Sequence, residues 1–570
     1  MASSSVTVGV AGSGGDGVVA LGSLLQRLAA WQGYFSHMLR FYGPQIRGGA
    51  TAVRLSLDAE GVSLPKDSPD ILVCFDWEKY LEVDREVPLA PETVVLYEKA
   101  PPSGLRLPKK SFEVDFSEAS RQATGSDHNK NVVALGLVKR LLGLCGDRAS
   151  EAIQTDEGLH LLKQNVAVLE AGELLLAGHS FAGLELCPAQ DRSVKVVLHG
   201  NAAVAQGALR AGCRAFFGYP ITPASEIMQE MQDKLPRLDG VFVQAEDEIA
   251  VMGLALGASI AGLKAMTATS GPGLDLMTEM MGLASAAEVP MVIVDVQRCG
   301  PSTGIPSKAE QSDLNHAIYG GHGEAPRVVM APYDVPGCYR LLVEAINIAQ
   351  RFQTLVIVLS DQWLGQGFVA VNDAFLKQDY PLEELKRPGG EETGDYRRYL
   401  MTDDFISPMA VAGEEGLTYQ MTGLNHNEKG WPAFDFETNQ QMHRKRYSKL
   451  MPLCGRDGLV EVFGNENCGR GILTWGSSAQ IVLETVRWLG LQDEVKVCVP
   501  QLIHPLPERV ERFVKSTDKL LVVEMNYSGQ FYRYLRAQMD MPRKTELYAR
   551  AGGRLFSRKE LSGPVTEVAR

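Results

Sequence analysis

Residues 241–297 read VFVQAEDEIAVMGLALGASIAGLKAMTATSGPGLDLMTEMMGLASAAEVPMVIVDVQ. Three short apolar, β-branched runs stand out: VFVQAE (241–246), KAMTATSG (264–271) and VPMVIVDVQ (289–297). Two longer segments with helical character separate them, DEIAVMGLALGASIAG and LDLMTEMMGLASAA. Strands that alternate with helices of this length imply a mostly parallel sheet covered on both faces. The pattern extends outward through CRAFFGYP (213–220) and TLVIVLSD (354–361), so the expected class is α/β.

The chain has 570 residues, too many for one hydrophobic core, and roughly three to four domains is the expectation for that length. Three regions separate. The first, 1–192, opens with VTVGVA, a glycine-rich turn and the helix-like VVALGSLLQRLAAW, and contains a proline-rich stretch, 89–111, expected as loop and edge structure. The second, 193–450, starts at KVVLHG and ends in a polar, irregular stretch from about 378, read as an extended connection. The third, 451–570, is a smaller α/β unit, with GILTWG, KVCVPQLI and LLVVEMN as strands and AQIVLETVRWLGL and PERVERFVKS as helices.

Composition excludes several classes. Apolar residues make up 45% and charged ones 22%, the values of an ordinary globular protein. The start, MASSSVTVGVAG, has neither a basic n-region nor an apolar h-region, and no run reaches the ~20 apolar residues of a membrane span. A soluble, cytoplasmic protein with no membrane partner is expected. A net charge of −13 without basic blocks argues against nucleic acid. The nine cysteines show no C-x-x-C spacing and the ten histidines no ligand spacing, so no metal site is expected within the chain.

Four loops follow strands of the second region and carry its chemistry. In Gly218-Tyr219-Pro220-Ile221-Thr222-Pro223 two prolines stiffen the backbone around the Thr222 hydroxyl. Gln244-Ala245-Glu246-Asp247-Glu248 puts three acids at a strand–helix junction, where helix capping is the plain role. A carboxyl buried there could instead share a proton with a ligand nitrogen. Thr269-Ser270-Gly271-Pro272-Gly273 is a glycine turn open to close approach. Gln297-Arg298-Cys299-Gly300-Pro301-Ser302-Thr303-Gly304-Ile305-Pro306-Ser307 sets a guanidinium among hydroxyls, and arginine grips carboxylates in two-point fashion. Loops that all follow strands of one parallel sheet share one edge, and this set suits a small anionic substrate.

A fifth motif, Gly12-x-Gly14-x-x-Gly17, lies between a strand and a helix. A dinucleotide site would need an acid about 20 residues on. None occurs before Asp58, which leaves a tight turn or another phosphate-bearing ligand.

With these motifs in place the chain resembles the α subunit of 2-oxoacid:ferredoxin oxidoreductases, most closely the 2-oxoglutarate type with a γ domain fused at the N-terminus. The resemblance covers nearly the whole chain. GSGGDG and GPQIRGGA are similar to the γ domain. GNAAVAQGALRAGC, GYPITP, QAEDE, TSGPG, QRCGPSTGIPS, DLNHAIYGGHG and GLTYQMTGLNHNEKGWP are similar to the pyrimidine-binding domain of thiamine-diphosphate enzymes. The third region, with EMNYSGQ, resembles a transketolase C-terminal-like domain.

The resemblance implies coenzyme A-dependent oxidative decarboxylation of a 2-oxoacid, yielding an acyl-CoA, CO2 and reduced ferredoxin, and the reverse carboxylation. It implies that a glutamate protonates the aminopyrimidine of thiamine diphosphate, and the family spacing to the T-x-x-S-G turn favours Glu246. Thr222, Arg298, Thr303 and Ser307 would hold the 2-oxoacid, while Tyr219, Pro220, Ile221 and Gly271 would lie against the cofactor. The diphosphate motif, a GDG followed by Asn-Asn, and the clustered cysteines of an iron–sulfur centre are missing. The resemblance places Mg2+ and a [4Fe–4S] cluster on a separate β subunit, in an (αβ)2 assembly that hands electrons to ferredoxin. Rival readings are an NAD-dependent dehydrogenase, a non-redox thiamine enzyme of transketolase type, and use of pyruvate or a branched-chain 2-oxoacid.

Overall fold

The computed structural model describes residues 2–43, 48–179, 181, 183–389 and 395–570. Part of the γ-like GPQIRGGA segment, residues 44–47, lies outside the described residues. The chain divides into two compact units, 1–199 with 366–377, and 200–365 with 378–570.

The first unit is built on an eight-stranded mixed sheet. Its order is Ser111–Glu113, Val94–Tyr97, Ile71–Cys74, Ser5–Ser13, Ala50–Asp58, Phe35–Tyr42, Phe368–Val371 and Val196–His199. The apolar-periodic segment expected as a helix forms Val18–Trp31, which buries Leu21, Leu24, Leu25 and Leu28 in the core of this unit. The proline-rich stretch is less peripheral than its composition suggests. Val94–Tyr97 is hydrogen-bonded on both sides and its three valine and leucine residues are buried. The boundary expected at 192 also shifts, because the KVVLHG strand pairs antiparallel with Phe368–Val371 and so belongs to the first sheet. That pairing rests on a strand some 170 positions away, and no local periodicity announces it.

The second unit contains two sheets. The larger runs Leu502–His504, Val328–Met330, Leu355–Asp361, Met291–Gln297, Ala265–Thr269, Ala215–Gly218 and Val241–Gln244. Every pairing in it is parallel except that of Leu502–His504. The smaller sheet orders Val460–Gly464, Lys496–Pro500, Arg470–Thr474, Lys519–Glu524 and Lys544–Ala549, all parallel but the first. The segment KVCVPQLI thus feeds both sheets, ending one strand in the smaller and supplying an edge strand to the larger. Trp475, Val510 and Phe531 join Met291, Ile293 and Ile357 in a continuous core.

The polar connection after 378 is anchored by buried charge. Glu288 accepts from Lys445 Nζ at 2.6 and 2.7 Å and from Lys449 Nζ at 2.8 Å, and its carbonyl accepts from Arg398 Nη2 at 2.6 Å. All four residues are at most 3% exposed. Burial alone would raise the Glu288 carboxyl, but Lys445, Lys449 and Arg398 overcome it and hold the group well below the usual carboxylate range. Burial pushes Lys449 down to about 7 against the pull of Glu288.

A lysine whose folded pKa lies below its unfolded 10.5 binds fewer protons folded than unfolded between those values, so stability rises with pH across that window. The expected result is a thermal midpoint that climbs from pH 7 to 9 relative to Lys449→Met, which lacks this titration. Parallel midpoints in the two proteins would show that Lys449 keeps its proton. Glu288→Gln removes the one buried anion of the cluster and is expected to cost on the order of 3 kcal/mol in denaturant melts.

Candidate active site

Because the strands of the larger sheet run parallel, their carboxyl ends lie along one edge, and the four motif loops leave from that edge. Each loop follows its strand directly: Gly218 precedes Tyr219, Gln244 precedes the acids, Thr269 precedes Ser270, and Gln297 precedes Arg298. Apolar β-branched runs make the strands, and prolines and glycines end them.

Two of the expected substrate residues are joined. Arg298 Nη1 donates to the Thr222 carbonyl at 2.6 Å. Arg298 is 8% exposed, and its buried Nε has no partner. Burial draws the guanidinium below its ordinary value, while Asp313 and Asp295 nearby pull it back. The Thr222 side chain, Tyr219 and Pro220 are exposed and Ile221 is half-buried. Thr303 and Ser307 are exposed on the loop that follows Arg298.

That loop folds back on itself. Ile305 N donates to the Cys299 carbonyl at 2.9 Å, and Cys299 N donates to Lys308 O at 2.9 Å. Glu310 ties it down, accepting from Gly300 N at 3.2 Å and Gly552 N at 2.9 Å. Gly304 sits at φ 56°, where a Cβ would overlap the Cys299 carbonyl, so only glycine closes the turn.

The three acids of the QAEDE motif have three different environments. Asp247 caps the helix Glu248–Ile260, its carboxyl accepting from Ala250 N at 2.8 Å. Glu246 is exposed, whereas Glu248 is 5% exposed. Of the three acids the buried one is Glu248, and Glu246, which the spacing argument favoured, lies at the surface of the chain. Glu248 starts the helix, so its side chain is carried inward with the buried Val251 and Met252, three and four positions on.

Glu248 meets the glycine turn. A Cβ at Gly273 would overlap the Thr269 hydroxyl and lie 2.6 Å from Glu248 Oε1. Gly271 begins the helix Gly271–Ala286, and a Cβ there would lie 2.9 Å from Asp313 Oδ2. The Gly273→Ala variant should displace the Glu248 carboxyl and destabilise the fold by roughly 1–3 kcal/mol, the range for overpacking. A melt and a cofactor titration of the assembled complex check this; parental values in both would mean that the turn has slack.

Sequence reasoning missed Asp295 and Asp313. Asp295 is fully buried inside the strand Met291–Gln297, and an acid within MVIVDV was itself a signal. Among the described residues no helix is long and apolar enough to cross a membrane, and no cluster of metal-ligating side chains occurs.

Residues 206–445 match the thiamine-diphosphate-binding region of the pyruvate flavodoxin/ferredoxin oxidoreductases, and residues 7–173 match the pyruvate ferredoxin/flavodoxin oxidoreductase family. The 2-oxoglutarate synthase subunit KorA of Methanothermobacter marburgensis is 36% identical over 373 residues, covering 64% of this chain and 96% of that protein. The α subunit of a 2-oxoacid:ferredoxin oxidoreductase from Sulfolobus sp is 29% identical over 621 residues, 98% of this chain and 96% of the relative. Among solved structures, a chain of the 2-oxoglutarate:ferredoxin oxidoreductase from Magnetococcus marinus, with 2-oxoglutarate, coenzyme A and succinyl-CoA bound, superposes with a TM-score of 0.92. It is 33% identical, and each chain is covered completely. This chain belongs to the 2-oxoacid:ferredoxin oxidoreductases, as an α subunit of the 2-oxoglutarate synthase type in a multi-subunit, thiamine-diphosphate-binding enzyme.

Proposed function

We propose that the chain supplies half of an active site that converts 2-oxoglutarate and coenzyme A into succinyl-CoA and CO2, passing two electrons to ferredoxin, and that the enzyme also runs as a carboxylase. The carrying observation is the full-length likeness to a 2-oxoglutarate enzyme together with an arginine buried beside Thr222 at the sheet edge. The remaining half is a β subunit with Mg2+, the diphosphate site and a [4Fe–4S] cluster, in an (αβ)2 complex of the cytoplasm. The unit of 1–199 with 366–377 presents coenzyme A, and the unit of 200–365 with 378–570 faces the pyrimidine ring.

Thiamine diphosphate supplies a nucleophilic carbon for attack on the 2-oxo group. The chain's own residues can serve that chemistry: the buried Glu248 carboxyl, closed in by Gly273, is placed to meet a proton-sharing ring nitrogen. Tyr219, Pro220, Ile221 and Gly271 would lie against the cofactor. Arg298 takes the substrate carboxylate, with Thr222, Thr303 and Ser307 offering hydroxyl donors.

Assembly provides the test. The chain alone is expected to bind thiamine diphosphate weakly and to oxidise no 2-oxoacid, and addition of the β subunit should restore both. Tight magnesium-dependent binding by the chain alone, measured by calorimetry, would overturn the shared site. A substrate panel on the complex with a low-potential dye should rank 2-oxoglutarate above pyruvate and branched-chain 2-oxoacids; the opposite ranking would reject the substrate assignment.

A further inference from the structure

Beside Arg298 lie two carboxyl groups that the reaction leaves unused. Asp295, fully buried, stands in register with Thr269 on the neighbouring strand. Asp313 immediately precedes the helix Leu314–Tyr319, and its backbone N–H donates to Gln297 Oε1 at 3.1 Å. Its Oδ2 closes against Gly271 at the start of the glycine turn.

Both Asp295 carboxyl oxygens and Asp313 Oδ2 are sealed from solvent and receive no hydrogen bond from a protein donor. Unanswered acceptors of this kind are costly, and the packing leaves no surface on which water could settle. Gln297, two positions along the strand from Asp295, holds the Asp313 backbone beside that strand, and each carboxyl acts on the other. A proton between them satisfies both groups, and two adjacent carboxylates in a dry site resist ionising together. Their charged surroundings are unequal. Arg298 is the cation that acts on both, while Asp275 on the helix Gly271–Ala286 acts on both as an anion, and Glu310 adds to the field at Asp313. Asp275 is itself 3.0 Å from His316 Nδ1.

The geometry points to Asp295 and Asp313 as a positioning pair that shares one proton and thereby keeps the charge of Arg298 available to an anionic 2-oxoacid. With one proton the pair carries a single negative charge against one guanidinium. Without it, two negative charges face that guanidinium and repel the substrate carboxylate. Burial raises both groups, Asp313 to about 6 and Asp295 well above the carboxylate range, which agrees with one retained proton in neutral solution. The effect on substrate rests on the reading of Arg298 as the carboxylate grip; the shared proton does not.

Two measurements on the assembled complex separate these. Infrared spectra at neutral pH should show the carbonyl stretch of a protonated carboxyl, lost in both Asp295→Asn and Asp313→Asn. In the parent, KM for 2-oxoglutarate should rise with pH above neutrality by up to about tenfold per unit, the limiting slope for one proton. In Asp313→Asn that rise should vanish, while kcat of the two proteins runs in parallel across pH. Absence of the band from the parent would overturn the shared proton. The band with identical KM profiles in parent and variant would overturn the coupling to Arg298. An Arg298→Ala complex with parental kcat/KM would remove the grip and the coupling together, with the band still deciding the proton.

Discussion

The Glu248→Gln variant is expected to lower kcat by about 10²–10⁴, the usual contribution of one general acid–base group, with little loss of stability. Glutamine keeps the size of the side chain and its hydrogen-bonding reach but cannot exchange a proton. The acid sits at 5% exposure against the Gly273 turn, where a ring nitrogen could share a proton with it. Its neighbours provide internal controls. Glu246 is exposed, so Glu246→Gln should leave kcat within a few-fold of the parent. Asp247 is occupied in capping, so Asp247→Asn should act on the helix end by about 1 kcal/mol or less, since asparagine also caps. The direct readout is hydrogen–deuterium exchange at the thiazolium C2 of the assembled complex, followed by NMR. Exchange as fast in Glu248→Gln as in the parent would end the proposal. A loss confined to Glu246→Gln would mean that the partner subunit buries the outer acid and that the family spacing was the better guide.

The case of these acids shows what a sequence can and cannot carry. The alternation of apolar runs and helical segments over 213–361 identified five strands of the larger sheet, since a strand buried on both faces leaves an unbroken apolar signature. It could not identify Val328–Met330 or Leu502–His504, which are three residues long and depend on partners far away in the chain. Motif loops were legible because prolines and glycines mark the ends of strands. Which of three consecutive acids turns inward was not, because helix phase begins at the cap, and a shift of two residues changes the buried side chain. The buried charges of Glu288, Lys445 and Lys449 were hidden for a related reason: the lysines lie 157 and 161 positions from Glu288, in a stretch whose polarity reads as solvent-exposed loop. Asp295 is different. An acid inside a continuous apolar strand conflicts with its surroundings, and such local conflict is where function or strain is to be sought.

For Arg298→Ala the expected loss is about 2–5 kcal/mol of transition-state binding, roughly thirty- to several-thousand-fold in kcat/KM for the 2-oxoacid. The side chain is nearly buried and Nη1 is committed to the Thr222 carbonyl at 2.6 Å, which fixes the plane of the guanidinium. Nε, sealed and unpartnered, carries a desolvation cost that a stability role alone does not repay. Asp295 and Asp313 lie close enough to hold the guanidinium electrostatically, so truncation will also disturb them. That disturbance predicts a lower melting temperature, whereas loss of the grip shows as lost discrimination for the substrate carboxylate, so the two effects are separable. Arg298→Lys retains the charge and loses the planar fork, so it should recover only part of kcat/KM. A neutral substrate analogue in which an amide replaces the C1 carboxylate supplies the last control. Discrimination between acid and amide should be large in the parent and collapse in Arg298→Ala. Discrimination that survives intact in a folded, cofactor-loaded Arg298→Ala complex would return the arginine to a purely structural contact with Thr222.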